Sequence, residues 1–417
     1  MKVLLITDDF YPHLGGIAHT LANLCLFFRK TSHDLIILNP YYSSENISAL
    51  LENKIKTKDI KKFFLKSSFF KSALLTFWAM LKDTRTPFSQ RIKMISHLIL
   101  RPDKLILVIK NVMKICPLFK PSDFDLIMSS STFWPLFLVH VLSRIFNKKT
   151  VTLAHGNDFL IKGPFDFKSS FIKHTDKVIM SNILMKRYIK NMHHLDETQM
   201  AVVYRGIDVH SLKVDKSKEW LRKKYDIAEN DFIILSVGRH IERKRFNLVI
   251  QAIGKLKKKG KGQRIKYYLI GEGRTTDSLK KLTKNLQLED DVFFLGPCRN
   301  EKRNEFYKLS NLFIMPSIKK KGTIEGFGIV FLEANYYKIP VIGTATGGIK
   351  EAIINGKTGL LAKPDSIKDL AKKILKIYKN KEFAEKLGEN GHKRVTKEYS
   401  WSKIINDYVR IFKELLN

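Results

Sequence analysis

The sequence predicts an α/β fold built twice over, as two parallel sheets each covered by helices. Three observations predict it. Short β-branched apolar runs recur with helical segments between them. The same pattern starts afresh near residue 210. The chain, at 417 residues, is too long for one ordinary core and fits two domains of roughly 200 residues. Two domains imply a cleft between them.

The first set of strands is KVLLIT (2–7), DLIILNP (34–40), DLIMSS (125–130), TVTLAHG (150–156), KVIMSN (177–182) and MAVVYRG (200–206). The second is FIILSVGR (232–239), IKYYLIGEG (265–273), VFFLG (292–296), LFIMPS (312–317), PVIGTATGG (340–348) and GLLAKPD (359–365). Strands that alternate with helices are joined by crossovers, which makes each sheet parallel. The boundary follows Arg205-Gly206-Ile207-Asp208, where the charged helix SKEWLRKKY precedes the second set. The expected division is 1–209, 210–397 and a C-terminal helix, 398–417. That helix spaces Trp401, Ile404, Ile405, Tyr408, Ile411 and Leu415 on one face, able to pack on either domain, the N-terminal one included.

Residues 60–118 interrupt the first pattern. Within them Phe63, Phe70, Leu74, Phe77 and Leu81 share one helical face, flanked by Lys66 and Lys71. Aromatics edged by lysines suit a helix lying in a membrane interface over 60–82. The same spacing suits a helix packed on its own domain.

Composition bounds the partners. A hydrophobic fraction of 44% and a charged fraction of 28% are those of a globular protein. The 75 Lys and Arg against 40 Asp and Glu leave a formal charge of +35, which calls for something anionic nearby: nucleic acid, anionic lipid or a phosphorylated substrate. Cys25, Cys116 and Cys298 stand far apart, so neither a disulfide framework nor a structural zinc site is expected. The opening MKVLLITDDF has too short an apolar run for a signal peptide, and a cytoplasmic chain is expected. The most apolar stretch, Phe63 to Leu81, is broken by Lys66 and Lys71, each costing about 2.5–3.5 kcal/mol at a bilayer centre. No membrane span is expected.

The richest segment is LFIMPSIKKKGTIEGFGIVFLEANYYKIPVIGTATGG (312–348). Glu325 follows a basic loop and precedes Gly326-Phe327-Gly328, so the chain turns tightly and opens a helix whose free amides face an anion such as a diphosphate. Glu333 lies among Ile329, Val330, Phe331, Leu332 and Ala334, where a carboxylate is costly to bury without a partner. Sugar or ribose hydroxyls are good partners. In SVGRHIERKRF (236–246) a strand ends in glycine and Arg239 and Lys244 follow five apart, placing two cations around one pyrophosphate. Gly15-Gly16 follows the first strand, and its lack of side chains lets the backbone approach an anion. His155 ends a strand, the usual place for function in open α/β sheets.

These residues, together with FYPHLGGIAHTLANL (10–24), AHGNDF (154–159), YRGID (204–208), LIGEG (269–273) and FLGPCRNEKRNEFYKLSNLFIMPS (294–317), closely resemble the family 4 retaining glycosyltransferases of the two-domain glycosyltransferase-B (GT-B) fold. The resemblance covers nearly the whole chain, and motif order and spacing match. It implies two Rossmann-like domains and transfer of a sugar from a nucleotide-diphosphate donor to a glycan or lipid-linked acceptor, without cofactor or metal. Arg239 and Lys244 are implied to hold the donor diphosphate, Glu333 the ribose hydroxyls, and Glu325 to stand beside the donor sugar with the amides of Phe327, Gly328 and Ile329. Gly15 and Gly16 match the diphosphate-facing loop of the first domain. His155 and Glu325 are the catalytic candidates; Asp158 and Arg205 are candidates at the acceptor or hinge. No carboxylate is assigned as nucleophile.

Departures accompany the match. Tyr204-Arg205 stands where the family often has Pro-Asn, and Arg245 where glycine is common. Asp123-Phe124-Asp125 matches the DxD of metal-dependent glycosyltransferases but precedes a strand, which reads as turn and strand start. Gly271-Glu272-Gly273 is half of a dinucleotide fingerprint. Rival activities are a sugar phosphorylase or nucleotide-sugar epimerase on the same fold. A basic nucleic-acid-binding protein is the rival from another class, although the lysines are scattered and no such module is recognisable. Surface polysaccharide or glycolipid synthesis at the inner face of a membrane is the expected setting.

Overall fold

The computed structural model describes residues 1–7, 16–38, 109, 112, 116, 119–130, 134–155, 159, 167–320, 323 and 325–417. The expected amphipathic face at 60–82, Gly15 and Asp158 lie outside the described residues.

The described chain forms two compact units, Met1–Arg205 with Trp401–Asn417, and Gly206–Ser400. In the first, β1 (Lys2–Ile6), β2 (Asp34–Leu38), β3 (Leu126–Ser129), β4 (Lys149–Ala154), β5 (Lys177–Met180) and β6 (Met200–Val202) lie in the order β2-β1-β3-β4-β5-β6. Every pairing is parallel. Val3 faces Leu35 on one side and Leu126 on the other. Val3, Leu4, Leu5 and Ile6 are all fully buried, because a parallel sheet covered on both faces needs apolar side chains in both directions. α1 (Gly16–Lys30), α2 (Trp134–Ile145), α3 (Phe167–Ile172) and α4 (Ile183–His193) accompany this sheet.

The second unit begins with α5 (Lys218–Lys224) and holds β7 (Phe232–Val237), β8 (Ile265–Ile270), β9 (Val292–Gly296), β10 (Leu312–Met315), β11 (Val341–Thr344) and β12 (Gly359–Ala362). Their order is β12-β11-β10-β7-β8-β9, again parallel. Between and after them run α6 (Phe246–Lys257), α7 (Thr276–Asn285), α8 (Asn300–Leu309), α9 (Ile329–Tyr336), α10 (Ile349–Ala352), α11 (Ile367–Lys379) and α12 (Lys381–Glu398). Each expected apolar run supplies a strand. The strand order reverses direction between β1 and β3 in the first unit and between β7 and β10 in the second. Such switch points open a crevice at the carboxyl ends of the strands.

The last helix, α13 (Trp401–Leu416), joins the first unit. Its expected stripe, apart from the half-buried Leu415, is buried, with Phe412 added, in one apolar cluster with Leu21, Leu24 and Phe28 of α1. Trp401 stacks on Phe27 at 6.0 Å, and Phe412 meets Phe28 at 5.9 Å.

Two sequence decoys have structural explanations. Asp123 ends a short 3-10 turn, Pro121–Asp123, and accepts the Lys120 amide at 2.8 Å; Asp125 accepts the Lys2 amide at 2.7 Å. These carboxylates cap backbone at a strand start. The glycines of Gly271-Glu272-Gly273 let two loops touch. A Cβ on Gly271 would stand 2.2 Å from the Gly238 carbonyl oxygen, and one on Gly273 2.5 Å from that of His240. The His240 amide donates to the Glu272 carbonyl at 2.8 Å.

Candidate active site

The β7–β10 switch point brings together residues from both sides of the second unit. After β7 the chain passes Gly238 and Arg239 into a 3-10 turn, Glu242–Lys244. After β10 it runs to Glu325 and Gly326-Phe327-Gly328, then enters α9. The Ile318 amide donates to the Arg243 carbonyl at 2.9 Å, and the Gly348 amide to the Glu325 carbonyl at 3.0 Å. The first bond ties the two loops to each other, and the second ties the Glu325 loop to the segment after β11.

At their meeting point one carboxylate oxygen takes two cations. Lys244 Nζ donates to Glu325 Oε2 at 2.7 Å, and Arg243 Nη1 donates to the same oxygen at 2.6 Å. Lys244 Nζ also lies 3.0 Å from Met315 Sδ at the end of β10. The three side chains are only 12%, 13% and 14% exposed, in the order Lys244, Arg243, Glu325. Burial pushes the Glu325 carboxyl up, but the charges and hydrogen bonds of Lys244 and Arg243 outweigh it and hold the group at about 2. Burial pushes the Lys244 ammonium down, against the pull of Glu325. Arg239 is exposed at the rim, close enough for its charge to disfavour that of Lys244. It makes no ion pair among the described residues. Two cations on the Glu325 carboxylate and a third, Arg239, near Lys244 leave this cluster with excess positive charge, suited to an anionic ligand.

Gly328 has φ +83° and precedes Ile329, the first residue of α9. A Cβ there would come within 2.8 Å of the Phe331 ring, so both conformation and space require glycine. The opening amides of a helix lack intrahelical acceptors, and those of α9 start at this turn. Phe327 is buried and packs on Tyr399 at 5.6 Å.

Glu333 lies one turn further along α9, with protein partners. Tyr307 donates its hydroxyl to Glu333 Oε2 at 2.8 Å, and Arg303 stands 3.9 Å from Oε1. Burial, and then the Glu333 charge, raise the Tyr307 phenol well above its usual range. Arg303 and Tyr307 are four apart on α8, hence on one helical face.

Arg245, at the glycine position, adopts the left-handed conformation, φ +53°. Its side chain pairs with Asp365 at 2.8 Å.

In the first unit Gly16 opens α1. His155 follows β4 and is 8% exposed. Arg205 donates to the His155 carbonyl at 3.1 Å. Burial, aided by the Arg205 charge, lowers the imidazole to about 3, so it is neutral near pH 7. Its Nε2 is buried with no hydrogen-bond partner among the described residues. At the switch point of this unit Ser130 donates to Thr7 Oγ1 at 2.6 Å.

Arg243, Tyr307 and Arg303 were not among the residues expected from sequence. The i, i+4 spacing of Arg303 and Tyr307 was a usable signal. Arg243 carried none, as one of 75 basic residues. Among the described residues no group of three or more His, Cys, Asp or Glu is placed to hold a metal ion, and no helix is long and apolar enough to cross a membrane.

Two family models cover the chain in succession, Glycosyltransferase Family 4 over residues 14–211 and Glycosyl transferases group 1 over residues 217–394. The chain belongs to this glycosyltransferase family. The enzyme is 28% identical over 271 residues to the N-acetyl-alpha-D-glucosaminyl L-malate synthase of Bacillus anthracis, covering 64% of this chain and 68% of that one. It is 30% identical over 221 residues to a capsular polysaccharide biosynthesis glycosyltransferase of Staphylococcus aureus, covering 50% and 54%. Among solved structures, Anabaena HepE in complex with UDP superposes with a TM-score of 0.72 at 18% identity, over 99% of this chain and 100% of that one. The architecture is that of the GT-B glycosyltransferases. For a glycosyltransferase of this fold, the Arg243–Lys244–Glu325 cluster and the start of α9 stand together at the strand ends of the second Rossmann-like unit.

Proposed function

We propose that the glycosyltransferase takes a sugar from a nucleoside-diphosphate donor held at the β7–β10 switch point and passes it, with retention at the anomeric carbon, to a glycan or lipid-linked acceptor. The observation that carries this reading is the pair of cations, Arg243 and Lys244, on one carboxylate oxygen of Glu325, with the charge of Arg239 close to Lys244. Cations at this point neutralise the diphosphate as it leaves, the task that a divalent ion performs elsewhere. The reaction is therefore metal-independent in this proposal. Arg239 and Lys244 hold the diphosphate, with the amides around Phe327, Gly328 and Ile329. Glu333 takes the ribose hydroxyls, and Glu325 orients the sugar.

The bond from the anomeric carbon to phosphate oxygen breaks as the acceptor oxygen approaches the same face. Fixed positive charge favours the departing phosphate, which takes the acceptor's proton. His155, neutral near pH 7, acts through hydrogen bonding. The UDP bound by the Anabaena structure supports trying uridine donors first, and the capsular polysaccharide relative supports a surface-glycan acceptor. The charge of +35 supports a cytoplasmic enzyme docked on an anionic leaflet; flotation with liposomes tests this, and equal recovery with neutral and anionic lipid removes it.

The donor assignment is tested with UDP-, GDP- and ADP-sugars in excess chelator, following thermal stabilisation and release of nucleoside diphosphate. Saturable stabilisation by one donor, lost in Arg239→Ala, is the expected result. Binding only with added divalent metal overturns the metal-free reading, and binding of none overturns the donor site.

A further inference from the structure

We propose that Arg243 is a positioning residue that releases Lys244 for the donor: it keeps Glu325 ionised and in place when Lys244 turns from that carboxylate to the diphosphate. The inference rests on the donor reading above and adds a residue to it. Both cations converge on the one oxygen, Glu325 Oε2, at 2.6 Å and 2.7 Å. No hydrogen bond to Oε1 occurs among the described residues.

A lysine committed to a buried carboxylate is a poor phosphate ligand, because leaving it strands a charge. With Arg243 present the carboxylate keeps a charge-assisted bond whichever way Lys244 points. The guanidinium is suited to the holding role: it is always protonated, planar and rigid. Lysine is suited to the moving role, as a point charge on a flexible stem. The backbone supports this division. The Arg243 carbonyl is fixed by the Ile318 amide at 2.9 Å, which ties Arg243 to the loop that carries Glu325, while Lys244 ends its 3-10 turn under Met315.

The arrangement has a consequence that a direct phosphate-binding role for Arg243 lacks. Removing Arg243 weakens nucleotide binding only because Glu325 then retains Lys244, so removing the Glu325 charge as well restores it. The experiment measures UDP, GDP and ADP binding by calorimetry for the wild type, Arg243→Met, Arg243→Lys, Glu325→Gln and the double variant Arg243→Met/Glu325→Gln, each checked for cooperative unfolding. For whichever diphosphate the wild type binds, Arg243→Met is expected to weaken binding about tenfold, Arg243→Lys to recover most of this, and the double variant to bind within about threefold of Glu325→Gln. Losses that multiply in the double variant, or wild-type affinity in Arg243→Met, overturn the proposal and leave the donor site standing. A wild type that binds none of the three overturns both.

Discussion

Lys244 and Glu325, 81 residues apart in sequence, meet at 2.7 Å across the β7–β10 switch point. The carboxyl, ordinarily near 4.5, is held at about 2 in the fold. A group whose pKa is depressed by folding contributes stability above its unfolded value, and the contribution is lost as pH falls from 4.5 through about 2. The full contribution is on the order of 3 kcal/mol. Denaturant unfolding of wild type and Glu325→Gln should therefore differ most above pH 4.5 and converge on acidification. A difference independent of pH sinks this assignment.

Glycine spacing at the other strand end yields a paired test. Gly271→Ala places a Cβ 2.2 Å from the Gly238 carbonyl oxygen at φ +119°, against backbone that cannot rotate away. Gly260→Ala meets open space at φ +66° and carries conformational strain alone, about 1–2 kcal/mol. Thermal unfolding should show Gly271→Ala destabilised by at least about 2 kcal/mol more than Gly260→Ala. Equal shifts would mean that the two strand ends are not packed as closely as described.

The strands were legible because a doubly covered parallel sheet writes itself as apolar runs: KVLLI gives β1 and FIILSV gives β7 with all interior positions buried. Glu325 and Glu333 were legible as carboxylates in apolar or glycine-rich surroundings. Their partners were not. Tyr307 lies 26 residues from Glu333, and Arg243 lies 82 from Glu325, distances that only the strand order closes. Arg243 is also hidden by abundance, since a +35 chain places a basic residue near any candidate. The GEG run, set aside in sequence as an incomplete dinucleotide fingerprint, has glycines that serve contact between two loops, a need no local pattern announces.

The Tyr307–Glu333 bond separates ribose binding from simple core packing. If Glu333 takes the ribose hydroxyls, Glu333→Gln weakens UDP binding about tenfold and leaves binding of 2′,3′-dideoxy-UDP nearly unchanged. Tyr307→Phe, which removes the hydroxyl donating at 2.8 Å, should weaken UDP by a smaller factor of about 2–5. Equal losses for UDP and its dideoxy analogue in Glu333→Gln would assign Glu333 to the protein's own Tyr307 and Arg303, with no part in the nucleotide.

His155 supplies a test in the first unit that needs no ligand. Its imidazole, ordinarily near 6.5, is lowered to about 3 by burial and then by the Arg205 charge. Here the unfolded chain takes up the proton more readily than the native one, so the contribution is complete above 6.5 and is lost as pH falls towards 3. The slope is about 1.4 kcal/mol per pH unit inside that window. His155→Gln removes the titrating group, so hydrogen exchange of the β3 and β4 amides should become less sensitive to pH between 6.5 and 3 than in the wild type. Unchanged sensitivity would require the imidazole to be protonated in the native state, which its burial without a partner at Nε2 makes costly. The same variant then bears on catalysis: a neutral hydrogen-bonding His155 predicts that donor turnover in the wild type shows no ionisation near pH 6.5 from this group, and a limb there that disappears in His155→Gln would assign it proton transfer instead.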